Sequence, residues 1–235
     1  MVSYFLKLKN FDKNFKIFTP IFALFLLIFS VLATIAIINS PPDYQQSNAV
    51  KMMYIHVPSA WMALMIYCFL AFFNLAGFIW KNPFFYLIAR SIASIGCLFA
   101  FITLLSGSIW GKPIWGAWWV FDARLTSMLI LFFLYLGYLI IIDSFADKAK
   151  GQKVGAIISI VGFVNIPIIK FSVEYWNSLH QKASIIRTQG IAIDPQMLKP
   201  LILMFLVSLC YFILLSLIIV KNQLMFTKLK KYHNL

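Results

Sequence analysis

The amino-acid sequence predicts an all-α membrane protein with six transmembrane helices. Hydrophobic residues make up 62% of the 235 residues and charged residues 11%, whereas an average soluble domain is roughly 45–50% apolar and about 25% charged. Six apolar runs follow one another along the chain, each near the length of about 20 residues that spans a bilayer as a helix. No internal repeat, low-complexity tract or linker divides the sequence, which favours a single polytopic membrane domain over residues 1–235.

The six predicted spans differ in length and in what precedes them. A basic segment precedes the first run, but that run is long for the apolar part of a signal peptide and no A-x-A cleavage site follows it, so we interpret it as a retained helix. The fourth and fifth runs are the shortest. In order, the runs cover residues 17–38, 57–79, 85–105, 126–142, 154–169 and 201–220.

The distribution of basic residues predicts the orientation of these spans. Six spans place both termini on the same side, and most of the 20 Lys and Arg residues fall on that side. By the positive-inside rule both termini are cytoplasmic. Lys182 and Arg187 are among the few basic residues expected on the outer face. Three segments would lie there, namely residues 39–56, 106–125 and 170–200.

The second of these outer segments contains a tryptophan cluster, which we define as Trp110, Trp115, Trp118 and Trp119. The last three of these and Asp122 stand at i, i+3, i+4 and i+7, so a helix would place them on one face. A lone tryptophan at a membrane interface needs no ligand to explain it. Four in one short segment predict either a flat surface for a planar ligand or a packed re-entrant segment, and the spacing leaves both alternatives open.

Two of the three histidines map to the same outer face. His56 stands directly before the second span, and His180 follows Trp176 by four residues, on one face of a predicted short helix; His233 lies in the basic C-terminal tail. Two imidazoles that approach a planar ligand from opposite sides suit the axial positions of haem iron. The guanidinium of Arg124 suits a carboxylate on the rim of such a ligand. The pattern therefore fits a porphyrin.

Several other functions lack their sequence signals. The net charge of +13 does not indicate a nucleic-acid partner, because the basic residues lie in short loops rather than in one groove or stripe. The sequence has no P-loop, H-E-x-x-H or G-x-S-x-G motif. It has no C-x-x-C-H motif, so haem would not be attached covalently to this chain. The three cysteines all fall inside apolar runs, where we expect them to pack.

Three stretches carry a resemblance to a known family. MMYIHVPSAW, WWVFDARLTS and YWNSLHQKAS, which together cover the chain from Tyr54 to Ser184, resemble the tryptophan-rich haem-handling proteins of cytochrome c maturation and most closely the CcmC family. In one departure, Phe121 stands where the family usually has tryptophan, so an indole N–H donor is lost. The resemblance implies that His56 and His180 ligate the iron and that the cofactor is further bound by Trp115, Trp118, Trp119, Asp122 and Arg124.

The resemblance also implies a function and partners. Such a protein binds haem b non-covalently and transiently at the periplasmic face of the bacterial inner membrane, presents it to the haem chaperone CcmE, and works beside the ABC-type subunits CcmA and CcmB and the small membrane protein CcmD. It is not an enzyme. Two alternatives stay open. A haem lyase would act on an apocytochrome itself, and related lyases carry a further histidine pair that is missing here. A transmembrane haem exporter subunit would need a polar path, for which Asn74 and Asn165 are the candidates.

Overall fold

The computed structural model describes residues 8–176, 178–181, 185 and 190–233, and within helices the side chains of residues 8–10 and 230–233 are not described. Lys182 and Arg187, which we expect on the outer face, lie outside the described residues. So do the side chain of His233 and part of the stretch YWNSLHQKAS.

The described residues form α-helices and one short 3-10 helix, which confirms the predicted all-α fold. Six helical segments are long and apolar enough to cross a membrane, as predicted. The 3-10 helix covers Asn48–Met52 and leads directly into the second α-helix. The α-helices are α1 (Leu8–Ile38), α2 (Met53–Trp80), α3 (Pro83–Trp115), α4 (Ala123–Ser144), α5 (Lys148–Gly162), α6 (Asn165–Tyr175) and α7 (Pro195–His233).

The fifth predicted span consists of two helices, α5 and α6, with a break at Phe163 and Val164. Pro167 explains the break, because proline has no N–H to donate to the carbonyl four residues earlier and its ring crowds the preceding turn. The Asn165 side chain donates a hydrogen bond of 2.8 Å to the carbonyl oxygen of Ser127. The break is therefore held against α4 by a buried polar contact.

The helices pack as a bundle in which α2, α3, α4 and α5 are central and α1 lies at the side, against α7. One end of the bundle carries ion pairs, between Arg90 and Asp143 at 2.9 Å and between Lys221 and Asp12 at 3.7 Å. Trp110 lies near the other end of α3, the helix that begins close to Arg90. The tryptophan cluster and the ion pairs thus occupy opposite ends of the bundle. The cytoplasmic placement of the termini stays a prediction.

Asn74 and Asn165, the two candidates for a polar path, both make hydrogen bonds inside the packed bundle. Asn74 is fully buried and its amide donates to the hydroxyl of Ser159 at 2.8 Å. Asn165 is buried as well and bonds the α4 backbone, as described above. Buried polar groups at membrane depth need such partners because no water can replace them. Both asparagines therefore have a packing role in this fold.

Candidate functional site

A cavity of about 920 Å³ lies at the end of the bundle that carries the tryptophan cluster. Its volume is near the upper limit of the roughly 300–1,000 Å³ typical of small-molecule sites. The polar or aromatic side chains around it include two histidines, three residues of the tryptophan cluster and one arginine: His56, Trp110, Trp115, Trp119, Arg124 and His180. Its other walls are largely apolar and include Trp61, Leu64, Met128, Ile169 and Leu201.

Helices α2 and α3 together position His56 at the cavity. Its Nδ1 lies 3.1 Å from the carbonyl oxygen of Thr103 and 3.2 Å from the hydroxyl of Ser106. A carbonyl only accepts, so Nδ1 carries the proton and donates it to Thr103, which leaves Nε2 with an unshared electron pair. Gly107 makes room for the ring, since a Cβ atom there would lie 2.9 Å from Cε1 of His56.

The tryptophan cluster does not share one helical face as the spacing predicts. Helix α3 ends at Trp115, and Gly116 follows with a φ of 74°, in the left-handed conformation that commonly ends helices. Trp118 and Trp119 therefore lie in a non-helical segment. Trp115 and Trp119 line the cavity, whereas Trp118 is not among its lining residues and is 58% exposed. The Lys112 ammonium lies 5.9 Å from the centre of the Trp118 ring.

His180 lies at the cavity within residues 178–181, which form no helix or strand. Helix α6 ends at Tyr175, and Trp176 is extended, with φ of −124° and ψ of 153°, so the predicted short helix that carries Trp176 and His180 on one face is wrong. The Trp176 N–H still donates a helical hydrogen bond of 3.0 Å to the Ser172 carbonyl oxygen. The His180 ring meets the edge of the Trp115 ring, with centroids 5.0 Å apart.

Asp122 is buried beside His180 and is not a lining residue of the cavity. It begins α4 as its N-cap, since its carboxylate accepts a hydrogen bond of 2.8 Å from the backbone N–H of Leu125. It also accepts from the hydroxyl of Ser178 at 2.6 Å and from Nδ1 of His180 at 2.8 Å. Because the carboxylate accepts the Nδ1 proton, Nε2 of His180 is left with an unshared electron pair, as in His56.

The protonation states of this pair follow from burial and hydrogen bonds. Burial raises the pKa of the Asp122 carboxyl, but hydrogen bonds from Leu125, Ser178 and His180 outweigh it and hold the pKa below its usual value. Burial lowers the pKa of His180 and outweighs the opposing influence of Asp122. At neutral pH the carboxylate is therefore charged and the imidazole is neutral, which is the form that ligates metals.

Arg124 stands in the first turn of α4 and presents a cation to the cavity. Its Nη2 donates to the carbonyl oxygen of Lys170 at 3.5 Å. Its Nε is buried and has no hydrogen-bond partner among the described residues. A buried donor without a partner is costly, so this nitrogen fits a ligand with a carboxylate at its rim. Two imidazoles bonded through Nδ1 and one guanidinium are among the groups that line the cavity, and these groups suit haem.

Several residues of the site are missed by sequence reasoning. Thr103 and Ser106 fix the His56 ring, and Ser178 joins His180 to Asp122. Gln46 accepts a hydrogen bond of 3.0 Å from the indole nitrogen of Trp110, a tryptophan that lies against His56 with ring centroids 5.6 Å apart. The contacts of His56, Trp110 and Asp122 with these residues have no sequence signal, because each joins residues 47 to 64 positions apart.

Comparison with known proteins identifies the family of this chain. The CcmC family model, described as heme exporter protein C, matches residues 2–234. Heme exporter protein C of Haemophilus influenzae is 42% identical over 208 residues, 88% of this chain and 85% of the relative. The protein of that name from Bradyrhizobium diazoefficiens is 41% identical over 186 residues, 79% of this chain and 71% of the relative.

A plant relative extends the comparison beyond bacteria. A ccmC-like mitochondrial protein of cytochrome c biosynthesis from Marchantia polymorpha is 47% identical over 166 residues, which are 71% of this chain and 70% of the relative. The match of the family model covers nearly the whole chain and includes every residue that lines the cavity. This chain belongs to the CcmC family.

Proposed function

We propose that this protein binds haem b non-covalently and transiently between His56 and His180 and presents it to the haem chaperone CcmE during cytochrome c biogenesis. The site would lie at the periplasmic face of the bacterial inner membrane. One observation carries the proposal: both imidazoles line one cavity, and each uses Nδ1 for a hydrogen bond within the protein. The relatives named heme exporter protein C support haem as the ligand.

The two imidazoles determine how haem would be bound. A neutral imidazole with a protonated, hydrogen-bonded Nδ1 ligates iron through Nε2. With one nitrogen on each side, His56 and His180 would fill both axial positions of the iron, which leaves no site for oxygen or peroxide. The protein would then hold haem as a cargo and would not itself be an enzyme.

The remaining polar and aromatic residues would orient the macrocycle. Arg124 has a buried donor without a partner and would pair with a propionate. Trp115 and Trp119 line the cavity and offer apolar surface to the porphyrin. Trp118 and Phe121 are exposed, at 58% and 87%, and would stay accessible while haem is bound. An exposed aromatic surface next to the cargo suits a docking partner such as CcmE.

In this proposal each partner has a separate role. Transfer of haem requires that its binding be reversible, so iron affinity should be moderate. The chain has no P-loop motif, so ATP hydrolysis would come from the ABC-type partners CcmA and CcmB and would act on release of the loaded complex. CcmD would belong to the same membrane complex, embedded with this chain in the lipid bilayer.

The test is the absorption spectrum of the purified full chain, expressed with CcmE, with haem quantified as its pyridine haemochrome. We expect a low-spin spectrum in the wild type, weakened or lost in His56→Ala and in His180→Ala. His233→Ala is the matched control, because that histidine lies in the C-terminal tail, far along the chain from both ligands. Unchanged spectra in both ligand variants would overturn the proposal, and so would transfer of haem to an apocytochrome by this chain without CcmE.

A further inference from the structure

Hydrogen bonds around Asp122 join two segments that are far apart in sequence. The carboxylate belongs to the N-cap of α4, whereas Ser178 and His180 belong to the segment that follows α6. One carboxylate oxygen accepts from the Leu125 backbone, and the other accepts from both Ser178, at 2.6 Å, and His180, at 2.8 Å. The Asp122 side chain is only 5% exposed. Both of its oxygens are therefore used within the protein.

Ser178 has a central place in this arrangement. Its hydroxyl donates to Asp122 and accepts a hydrogen bond of 3.1 Å from the backbone N–H of His180. A serine that bonds the backbone two residues later closes a local turn. Residues 176 and 178–181 are not helical, so the turn and the Asp122 carboxylate fix both the backbone and the ring of His180.

We propose that Asp122 and Ser178 are positioning residues for His180 and do not contact haem themselves. The inference rests on the proposed function, in which His180 ligates the iron. A carboxylate that accepts the Nδ1 proton fixes the tautomer, directs Nε2 to the metal and makes the imidazole a stronger electron donor. Asp122 thereby sets the tautomer of the ligand, and Ser178 sets the position of its backbone.

The chain offers a matched control for the role of Asp122 as a helix cap. Asp147 is the N-cap of α5, where it accepts from the backbone N–H groups of Ala149 at 2.9 Å and Lys150 at 3.3 Å. No histidine bonds this carboxylate among the described residues. Loss of a cap costs about 1 kcal/mol of stability, so Asp147→Ala reproduces that effect of Asp122→Ala without any effect on His180.

The first experiment needs no haem. The full chain, labelled with ¹⁵N-histidine and placed in lipid nanodiscs, has three histidines, so single replacements assign each imidazole signal. We expect His180 to carry its proton on Nδ1 in the wild type, in Asp147→Ala and in Ser178→Thr, which keeps the hydroxyl. We expect mixed tautomers in Asp122→Ala. Wild-type signals with the proton on Nε2 would overturn the proposal even if haem binds.

The second experiment measures haem affinity and the reduction potential of the haem-loaded chain. Loss of a hydrogen-bond partner behind a metal-ligating histidine typically lowers metal affinity about 10- to 100-fold. We expect that loss in Asp122→Ala, a smaller loss in Ser178→Ala, and a more positive potential in Asp122→Ala, because a weaker donor stabilises ferric iron less. Ser178→Thr should restore the wild-type affinity. Ser144→Ala, which removes a hydroxyl bonded to the Ile140 carbonyl oxygen at the opposite end of α4 from Asp122, is the matched control for Ser178→Ala.

The outcomes separate this inference from the proposed function. If the wild type binds haem and His180→Ala does not, while Asp122→Ala and Ser178→Ala keep the wild-type affinity, tautomer and potential, then the positioning role is wrong and the haem site stands. If the wild type binds no haem, the proposed function fails, and the tautomer of His180 still decides whether Asp122 orients it. Ser178→Ala leaves the α4 cap intact, so the test holds even if Asp122→Ala does not fold.

Discussion

His56 and His180 line the same cavity, but the protein holds them in different ways. His56 projects from one helix and bonds the backbone carbonyl of Thr103 on the neighbouring helix, next to Gly107. His180 lies within residues 178–181, which form no helix or strand, and it bonds the side chains of Asp122 and Ser178. His56 is thus positioned by helix packing, and His180 by the distant Asp122 side chain and the neighbouring Ser178 side chain.

This difference predicts how each half of the site fails. We call His56 with Thr103 and Gly107 the His56 half of the site. Helix packing tolerates little change in volume, so the affinity for haem should fall sharply when atoms are added to the His56 half. The His180 half depends on directional bonds to charged and polar groups, so it should respond to loss of charge or of a donor. A carboxylate partner also makes His180 the more basic ligand, compared with His56 and its neutral carbonyl.

The largest effect should come from filling the space beside His56. In Gly107→Ala the new Cβ would lie 2.9 Å from Cε1 and 3.3 Å from Nδ1 of His56, so the ring must move and lose its bond to Thr103. We expect haem affinity to fall about 10- to 100-fold, measured by titration of the chain in nanodiscs. Gly137→Ala is the control, because nothing lies within 4 Å of a Cβ at that position. Equal affinity in both variants would show that helix packing does not position His56.

The second-largest effect should come from a change at Arg124, which is a charged residue of the cavity. Arg124→Lys keeps the charge but removes the buried Nε that has no partner among the described residues. A hydrogen bond to a charged group contributes about 1.5–3 kcal/mol, so we expect affinity for haem to fall roughly tenfold or more. Haem dimethyl ester lacks the carboxylates and should bind both chains alike.

The control for this variant is Arg90→Lys, which changes an arginine at the opposite end of the bundle, in an ion pair with Asp143. It should leave the affinity for both ligands unchanged. If Arg124→Lys weakens haem and its ester equally, the guanidinium supports the fold of the site and does not bind a propionate.

The contrast between helix packing and bonds between distant side chains also explains what could be predicted from the sequence. Apolar runs of membrane length identify six spans because hydropathy and length alone decide whether a helix can cross a bilayer. The break at Phe163 is missed, although Pro167 signals it. His56 is indicated by its place directly before a span, but its contact with Thr103 requires the packing of two helices, which hydropathy does not encode.

The tryptophan cluster shows why the other half of the site is harder to predict. The spacing of Trp115, Trp118 and Trp119 fits one helical face, yet Gly116 ends the helix between them. Glycine is compatible with both a helix and a helix end, so periodicity cannot decide between the two. Asp122 and His180 are 58 residues apart, and no local pattern joins them. The resemblance names these residues as binding residues without revealing that they bond each other.

A smaller effect should distinguish two tryptophans of the cluster. Trp119 lines the cavity, whereas Trp118 lies outside its lining and is exposed. An aromatic contact contributes about 0.5–1.5 kcal/mol beyond burial, so Trp119→Ala should lower the affinity for haem roughly twofold to tenfold. Trp118→Ala should leave haem affinity near the wild-type value. A larger loss in Trp118→Ala would contradict the placement of the two rings.

The smallest effect concerns the link between the first outer segment and the His56 half. Trp110→Phe keeps an aromatic ring beside His56 but removes the N–H that donates to Gln46 at 3.0 Å. A neutral hydrogen bond contributes about 1 kcal/mol, so haem affinity should fall no more than roughly fivefold. Gln46→Leu should have a similar effect. The double variant should bind haem no more weakly than either single variant, since both substitutions remove the same hydrogen bond. Additive losses would show that Gln46 acts on haem independently, and that helix packing alone does not account for the His56 half.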